Sequence, residues 1–555
     1  MSEPYLIRLA AVPARDRRLI LCLAGAALGT LALGVVGGIL TAFARAGFIP
    51  VAPEDGYRFL TLHGVSAFFY WLYFAQVALL LAFAAAEQTR EGGGIGLSSR
   101  WLSVAGTAAM LLGFMFGIVA TFMGSPPLYD GRAELFADEP RTLLVFSAGY
   151  VLLGIGLLLS PAGAIATLLS SLGRGRRDTL DAMGFALVAW AGFLMVTGFA
   201  AIHAFLPALL WTVGLAAFPA AQETGWHILF HNLHYLPLMS TVLIWYVLMQ
   251  VLTGVKSVFG ARFSKIVFAL YLVFVPPTSL YHMFLDPGLP EFVKVTGSIL
   301  SLFVSVPTLT AFLIIVASLE IHARSLGARG LFGWLGMMPW QHPAMVAAGA
   351  AVVNLMLGIT FAFVLIQEKL APLLSDTFFV PGYFHFFTVG TVSLSLLAGL
   401  SVVIPGLTGN PLRWPGLLRR MPWVVSAGLF VFGGAGVTAG FMGVPRRVIE
   451  IDYGGEAPAI WATLMGLVGV GGGMMALALL TFAFGVFCSM FGARRPSIEA
   501  GRGPLLGTAV LDDRTAVWTG PLAVLVIVVA MYGFTILGFE LMQSLPVAAS
   551  GGSGH

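Results

Sequence analysis

Three histidines stand close together in one apolar stretch, residues 223–246, whose sequence is ETGWHILFHNLHYLPLMSTVLIWY. At about 100° per residue on a helix, His227, His231 and His234 return to one face, with Tyr235 beside them. Imidazole is a common ligand of copper, iron and zinc, and polar groups inside a membrane are costly unless they are paired or coordinated. The stretch therefore predicts a metal site. The alternative is a set of interfacial histidines at a helix end, bonded to water and carbonyl groups.

The elements that must position these residues are membrane helices. Of the 555 residues, 58% are hydrophobic and only 10% are charged, and the mean hydropathy is +0.93. No soluble chain of this length could hide so much apolar side chain from water. We predict an all-α, polytopic membrane protein, with residues 1–545 as a single membrane-embedded domain and 546–555 as a flexible tail. Apolar runs of about 20 residues or more predict 13 spanning helices, near 19–43, 60–86, 101–124, 142–172, 180–215, 228–254, 263–284, 296–320, 343–370, 379–404, 421–441, 461–490 and 515–545.

The charged residues orient these helices. Arginines before the first apolar run place the amino terminus in the cytoplasm, and alternate loops then carry most of the remaining Lys and Arg. Arg446 and Arg447 break this pattern by lying in an outer loop, so we expect an anionic partner there. The net charge of +4 follows from the loop bias and does not indicate a nucleic-acid partner. Cys22 and Cys488 both fall in apolar runs, which excludes disulfide or zinc-cluster spacing.

With this orientation, histidines from four helices reach the outer half of the membrane. They are His63 on the second helix, His227, His231 and His234 on the sixth, His282 on the seventh and His385 on the tenth. Histidines placed at random would rarely reach the same depth from four helices, so the pattern predicts a buried cofactor layer. His203, on the fifth helix, has no evident partner and is interpreted as a helix-packing residue. Tyr246, in the cytoplasmic half of the sixth helix, either serves proton delivery or is an interfacial tyrosine.

Several stretches resemble subunit I of the heme-copper oxidase superfamily, most closely the B-type (ba-type) cytochrome c oxidases. They are LTLHGV around His63, LYHMFLDPG at 280–288, ASLEIHARSLGARGLFGWLGMMPW at 317–340, VPGYFHFFTVGTVSLSLLAGLSVVIPGLTG at 380–409 and VPRR at 444–447. Their order and the predicted number of helices agree with that family. The resemblance implies an electron donor, which is a cytochrome c, a cupredoxin-like protein or a quinol. It also implies a partner subunit that carries a dinuclear copper or a c-type haem.

The resemblance further implies a low-spin haem, of b type, held by His63 and His385. In the family these ligands are the histidine of helix 2 and the second histidine of an HxH motif on helix 10. Two imidazoles close both axial positions of the iron, which suits electron transfer and not substrate binding. Arg446 and Arg447 resemble the family's arginines that hold haem propionates, which accounts for two positive charges in an outer loop.

The active-site half departs from the family. Tyr383 replaces the first histidine of HxH, which ligates a second, high-spin haem, and Tyr281 replaces one of two histidines that bind copper. Both tyrosines keep an oxygen that can donate a hydrogen bond or, when ionised, bind a hard metal, so we interpret the pocket as rebuilt; decay is the alternative. Tyrosinate is an axial haem ligand in catalases. A second haem held by Tyr383 and a pocket that is vacant or differently occupied therefore both stay open.

A non-haem metal, copper or iron, is expected in the same pocket. His231 and Tyr235 match the family's helix 6 ligand and the tyrosine that is linked to it. His231 and His282 would come from facing helices, with His227 or His234 as a third ligand and one position open. Tyr235, Tyr281 and Tyr383 line the cavity as candidate catalytic residues.

The sequence therefore predicts a haem-containing respiratory oxidoreductase subunit of the bacterial inner membrane. It would pass electrons through a bis-histidine haem to a rebuilt metal or haem centre that acts on O₂ or NO. One alternative is a non-catalytic electron-transfer or scaffold subunit with one low-spin haem in a larger complex. Another is a transport or sensor module that handles metal or haem.

Overall fold

The structure, a computed structural model, describes residues 5–89, 96–128, 138–173, 180–219, 223–255, 259–274, 291–365 and 370–492, with a few isolated positions besides. These residues are almost entirely helical and contain no β-strand. Helices are expected because every backbone N–H and C=O inside a bilayer must find its partner within the protein. The predicted all-α membrane fold is confirmed.

The helices follow one another with short connections. The first half contains α1 (Tyr5–Ala10), α2 (Ala14–Arg45), α3 (Pro53–His63), a π-helical segment (Gly64–Trp71), α4 (Leu72–Gln88), α5 (Arg100–Thr121), α6 (Pro140–Gly173), α7 (Ala182–Thr212) and α8 (Glu223–Thr253). The second half contains α9 (Gly260–Phe274), α10 (Glu291–Ser325), α11 (Pro343–Leu365), α12 (Ala371–Leu374), α13 (Phe379–His385), a second π-helical segment (Phe386–Ser393), α14 (Leu394–Thr408), α15 (Pro415–Leu418), α16 (Met421–Phe441) and α17 (Ala459–Cys488). Short 3₁₀ helices lie at Gly333–Met337 and Tyr453–Gly455.

Ten spans among the described residues are long and apolar enough to cross a membrane. They overlap ten of the predicted runs, and α8 and α9 overlap two others. The run at 515–545 lies outside the described residues, apart from isolated positions. The count of 13, the single domain over 1–545 and the tail at 546–555 therefore stay predictions.

Most of the described helices share one large hydrophobic core, and α12 and α13 contribute to a smaller second cluster. Tyr246 is buried in the larger core, with its hydroxyl 2.5 Å from Ser264 Oγ of α9, and both roles considered for this tyrosine stay predictions. The packing role predicted for His203 is wrong, because its side chain lies exposed on the surface of α7. The apolar surroundings of residue 203 in the sequence gave no sign of which helix face would turn outward.

Helix α13 packs unusually close to α16 because glycines line their contact. A Cβ atom built at Gly382 would lie 2.6 Å from the backbone nitrogen of Val437, and one at Gly440 would lie 2.1 Å from the backbone nitrogen of Phe379. Small residues at such a contact allow two membrane helices to approach backbone to backbone. The approach fixes the helix turn that ends at His385.

Gly440→Ala should therefore destabilise the protein, because the new methyl group meets the backbone of Phe379 and forces α13 away from α16. We expect a loss of about 1–3 kcal/mol, measured as a lower midpoint of thermal unfolding in detergent. Gly434→Ala is the matched control on the same helix, since nothing lies within 4 Å of a Cβ atom there. Equal unfolding midpoints for the two variants would contradict the close contact.

Candidate functional site

His63 and His385 occupy equivalent places in two different membrane spans. His63 ends α3 and His385 ends α13, and each is followed at once by an eight-residue π-helical segment. Such wider helical turns are rare and occur often at functional sites. Because a π-helical turn contains more residues than an α-helical one, it changes the direction of each histidine relative to the α-helix that follows.

The two imidazole rings lie opposite each other, and their planes are nearly parallel. Their centroids are 6.1 Å apart and their planes differ by 5°. The Nδ1 atom of His63 lies 2.8 Å from the carbonyl oxygen of Gly34, and that of His385 lies 2.7 Å from the carbonyl oxygen of Pro381. Because a carbonyl oxygen only accepts hydrogen bonds, each Nδ1 carries the proton and donates it. Each Nε2 then keeps its lone pair for a metal.

The separation of the rings matches a metal ion shared between them. Two metal–nitrogen bonds of about 2 Å each, with about 1 Å from each nitrogen to its ring centre, give about 6 Å. The hydrogen bonds to Gly34 and Pro381 are the type of outer interaction that orients a metal-bound histidine. The ring separation and the two hydrogen bonds are those that the predicted bis-histidine haem would require.

Three glycines of α2, which were not predicted from the sequence, make room for His63 and the turn that follows it. A Cβ atom at Gly34 would lie 2.5 Å from the backbone nitrogen of Ala67, one at Gly37 would lie 2.9 Å from the backbone nitrogen of His63, and one at Gly38 would lie 2.6 Å from His63 Nδ1. The stretch GVVGG at 34–38 was the available signal, because glycines at this spacing line close helix contacts in membranes.

The outer loop that carries Arg446 and Arg447 is fastened to the start of α13. Thr377 and Pro445 form an isolated antiparallel bridge, and the Phe378 backbone N–H donates to Val444 O at 2.7 Å. Arg446 pairs with Asp376, with 2.8 Å between Nη2 and Oδ1. Asp376 is 82% exposed, so this ion pair contributes little stability. It nevertheless provides one anionic partner of the kind that the charge pattern predicted.

Arg45, at the outer end of α2, holds the same loop from inside the protein. Its guanidinium donates to the carbonyl oxygens of Arg446 and Pro445, at 2.8 and 2.7 Å, and lies 4.8 Å from the centre of the Phe378 ring. The side chain is buried, and its charge meets carbonyl dipoles and an aromatic face. Nothing in the sequence marks Arg45, because it ends an apolar run like any flanking arginine.

Tyr383 lies on another side of α13 from His385. It is buried in a small hydrophobic cluster with Val364, Leu365, Leu370, Leu374, Phe379 and Val437. Its ring centroid is 5.7 Å from that of Phe379 and 6.2 Å from that of Phe387. His385 instead faces His63 and Phe432. Residues two apart on a helix point about 200° apart. His385 therefore cannot also serve a haem on the side that Tyr383 faces.

The predicted metal ligands remain untested by the geometry. His227, His231, His234 and Tyr235 belong to the first half of α8, where only the backbone is described, and Tyr281 and His282 lie outside the described residues. Where side chains are described, no three His, Cys, Asp or Glu residues come together to hold a metal ion. The non-haem metal site therefore stays a prediction.

Comparisons with known proteins point in one direction. A family model described as "Cytochrome C and Quinol oxidase polypeptide I" matches residues 18–475. Cytochrome c oxidase subunit 1 of Thermus thermophilus is 28% identical over 511 residues, which cover 87% of this chain and 86% of the relative. Cytochrome c oxidase subunit 1 of Bacillus subtilis is 24% identical over 456 residues, which cover 75% of this chain and 66% of that protein.

A solved structure shares the fold. It is a cryo-EM structure of a heme-copper terminal oxidase dimer, 21% identical, with a TM-score of 0.76 over 95% of this chain and 92% of that chain. The likeness in helix arrangement extends over nearly the whole chain. These comparisons do not separate the types of oxidase, so the predicted closeness to the B type stays a prediction.

Gly38→Ala should disturb the histidine pair directly. The added methyl group would overlap the His63 ring, which must turn away from the Gly34 carbonyl and from His385, at a cost of about 1–3 kcal/mol. Optical and EPR spectra of the purified protein report the change at the histidines, and thermal unfolding reports its cost. Gly29→Ala on the same helix is the control, because a Cβ atom there has no neighbour within 4 Å. Identical spectra for the two variants would refute the described fit of His63 against α2.

Proposed function

The chain belongs to the family of cytochrome c and quinol oxidase polypeptide I, and from this premise we propose what its individual residues do. As a member, it is an integral, multi-pass oxidoreductase subunit of the bacterial cytoplasmic membrane, of a family that binds haems and copper. The finer proposal concerns which cofactors this chain holds and on what they act.

His63 and His385 hold a low-spin, b-type haem between them in this proposal. The observation that carries it is the parallel pair of rings 6.1 Å apart, each with its Nδ1 bonded to a backbone carbonyl. When bound, a bis-imidazole haem supplies one-electron transfer without an open site for substrate. The protein's own part is to fix both tautomers, exclude water and keep the two rings in register.

Arg446 and Arg447 meet the haem propionates at the outer end of the pocket. Support comes from the position of their loop, which is bridged to residues 376–378 just before the helix of His385. The Nε of Arg446 is buried and has no hydrogen-bond partner among the described residues, so this arginine retains a donor beyond its pair with Asp376. Arg45 holds the loop in place and adds a third positive charge.

Electrons from a cytochrome c, a cupredoxin-like protein or a quinol would reach a second centre rebuilt around His231 and His282, with His227 or His234 as a third ligand. A copper or iron ion there would act on O₂ or NO. Tyr235, Tyr281 and Tyr383 line this pocket in the proposal. Oxygen reduction would be slow or absent compared with an intact family member, because the proximal histidine and one copper ligand are tyrosines.

A second candidate is a non-catalytic electron-transfer or scaffold subunit with one low-spin haem. The position of Tyr383 favours it, because this side chain is buried in a hydrophobic cluster and contributes to packing there. A pyridine-haemochrome assay combined with elemental analysis separates the two candidates. One haem and no other metal per chain would support the electron-transfer subunit, whereas a non-haem copper or iron would support the rebuilt enzyme.

Replacing either His63 or His385 by Ala should abolish the low-spin haem signal, because each supplies one of only two axial ligands. The measurement is the optical and EPR spectrum of the purified variants. His322→Ala is a suitable control, since among the described residues that imidazole bonds to the Ser318 carbonyl of its own helix and not to a second histidine. Unchanged spectra in both ligand variants would remove the proposed haem from this site.

The double variant Arg446→Gln and Arg447→Gln should lower the haem midpoint potential and the haem content. Positive charge near the haem disfavours its oxidised form, and each hydrogen bond to a charged group contributes about 1.5–3 kcal/mol. Potentiometric titration measures the shift. Arg58→Gln is the control, because that arginine pairs with Glu54 and Asp55 on the surface. A double variant with unaltered potential and haem content would separate these arginines from the haem.

Tyr383→His and Tyr281→His together should restore the proximal histidine and the copper ligand that the second centre lacks. We expect a high-spin haem signal and faster oxygen consumption in the double variant than in either single one, since each single change leaves one site incomplete. Retention of the low-spin spectrum shows that the variant has folded. A wild-type protein with a histidine-ligated high-spin haem and fast oxygen reduction would overturn the assignment of Tyr383.

A further inference from the structure

A glutamine amide that is only half satisfied by the described residues lies in the protein interior between α4 and α7. Gln76 of α4 is fully buried, and the Trp190 indole N–H of α7 donates to Gln76 Oε1 at 3.1 Å. Because an indole N–H can only donate, the atom that it meets must be the amide oxygen, which fixes the orientation of the amide. The Gln76 Nε2 group therefore points elsewhere with two N–H donors, and it has no hydrogen-bond partner among the described residues.

A second unsatisfied group lies one helical turn away. Tyr73 is fully buried on α4, and its hydroxyl lies beside Thr197 of α7 without completing a regular hydrogen bond. The Thr197 hydroxyl itself donates to the Phe193 carbonyl within α7, at 3.1 Å. Trp190 and Thr197 are seven residues apart and so share one face of α7. The pairs Gln76–Trp190 and Tyr73–Thr197 thus follow one seam between the two helices.

We propose that this seam binds an internal water molecule that accepts a hydrogen bond from Gln76 Nε2 and donates one to the Tyr73 hydroxyl. Leaving two buried polar groups unpaired costs more than immobilising one water. A neutral ligand fits because neither side chain is charged, and buried waters typically satisfy such otherwise unpaired groups. The inference is independent of the proposed function, since it requires no haem or metal.

The proposed water gives Tyr73 a partner with which it can exchange its proton inside the membrane domain. Because α4 continues the span that carries His63, the water would also join that span to α7 by a polar bridge. The same helix offers a matched comparison in Gln88. This second buried glutamine donates its amide directly to the Thr167 carbonyl and to Ser170 Oγ.

The test uses the full-length protein and a cryo-EM map that resolves ordered water. We expect density within hydrogen-bonding distance of both Gln76 Nε2 and Tyr73 Oη, its loss in Gln76→Leu and its retention in Gln88→Leu. A map in which the Gln76 amide meets a protein group directly, or in which the seam contains no such density, would overturn the proposal.

A double-mutant cycle measures the coupling between the two side chains independently. It uses Gln76→Met and Tyr73→Phe, which disturb packing less than Gln76→Leu, so the test still works if that variant folds poorly. If one water joins the two groups, the fall in Tm for the double variant will be smaller than the sum of the two single shifts. The pair Gln88→Met with Tyr73→Phe should be additive. Equal additivity in both cycles would contradict a shared water.

Discussion

Two backbone carbonyls determine how the histidine pair is arranged. Gly34 O and Pro381 O accept the Nδ1 protons of His63 and His385, which fixes both tautomers and leaves both Nε2 lone pairs free to bind a metal. Without these bonds each imidazole could rotate about its side-chain torsions. Holding the two rings parallel would then cost conformational entropy. The surrounding helix contacts position these two carbonyl oxygens.

Close backbone packing brings the carbonyls into place. Glycines of α2 let the chain around His63 approach until Gly34 O reaches the ring, and glycines of α16 let α13 settle against it. The outer loop then joins the two sides, because Arg45 at the end of α2 binds carbonyls of the segment that bridges to the start of α13. A buried arginine that binds carbonyls is stabilising only while the loop stays in position, so Arg45 couples loop position to helix position.

The fold and the approach of His63 to His385 were predictable from sequence, whereas the supports around them were not. Long apolar runs leave few alternatives to membrane helices, and the motifs around His63 and His385 are specific. The glycines at 34, 37 and 38 gave only a weak signal, because glycine is frequent throughout this chain. The role of Arg45 depends on a contact with residues about 400 positions later, which no local pattern reveals. The outward face of His203 depended in the same way on which neighbours α7 acquires.

The most direct test of this account is the EPR spectrum of the oxidised, purified protein. Ligand planes that differ by 5° predict a rhombic low-spin ferric signal, because parallel imidazoles act along the same direction on the iron orbitals. A highly anisotropic low-spin signal would indicate crossed ligand planes and contradict the described geometry. The absence of any low-spin ferric signal in haem-loaded protein would contradict the central claim that His63 and His385 share one iron.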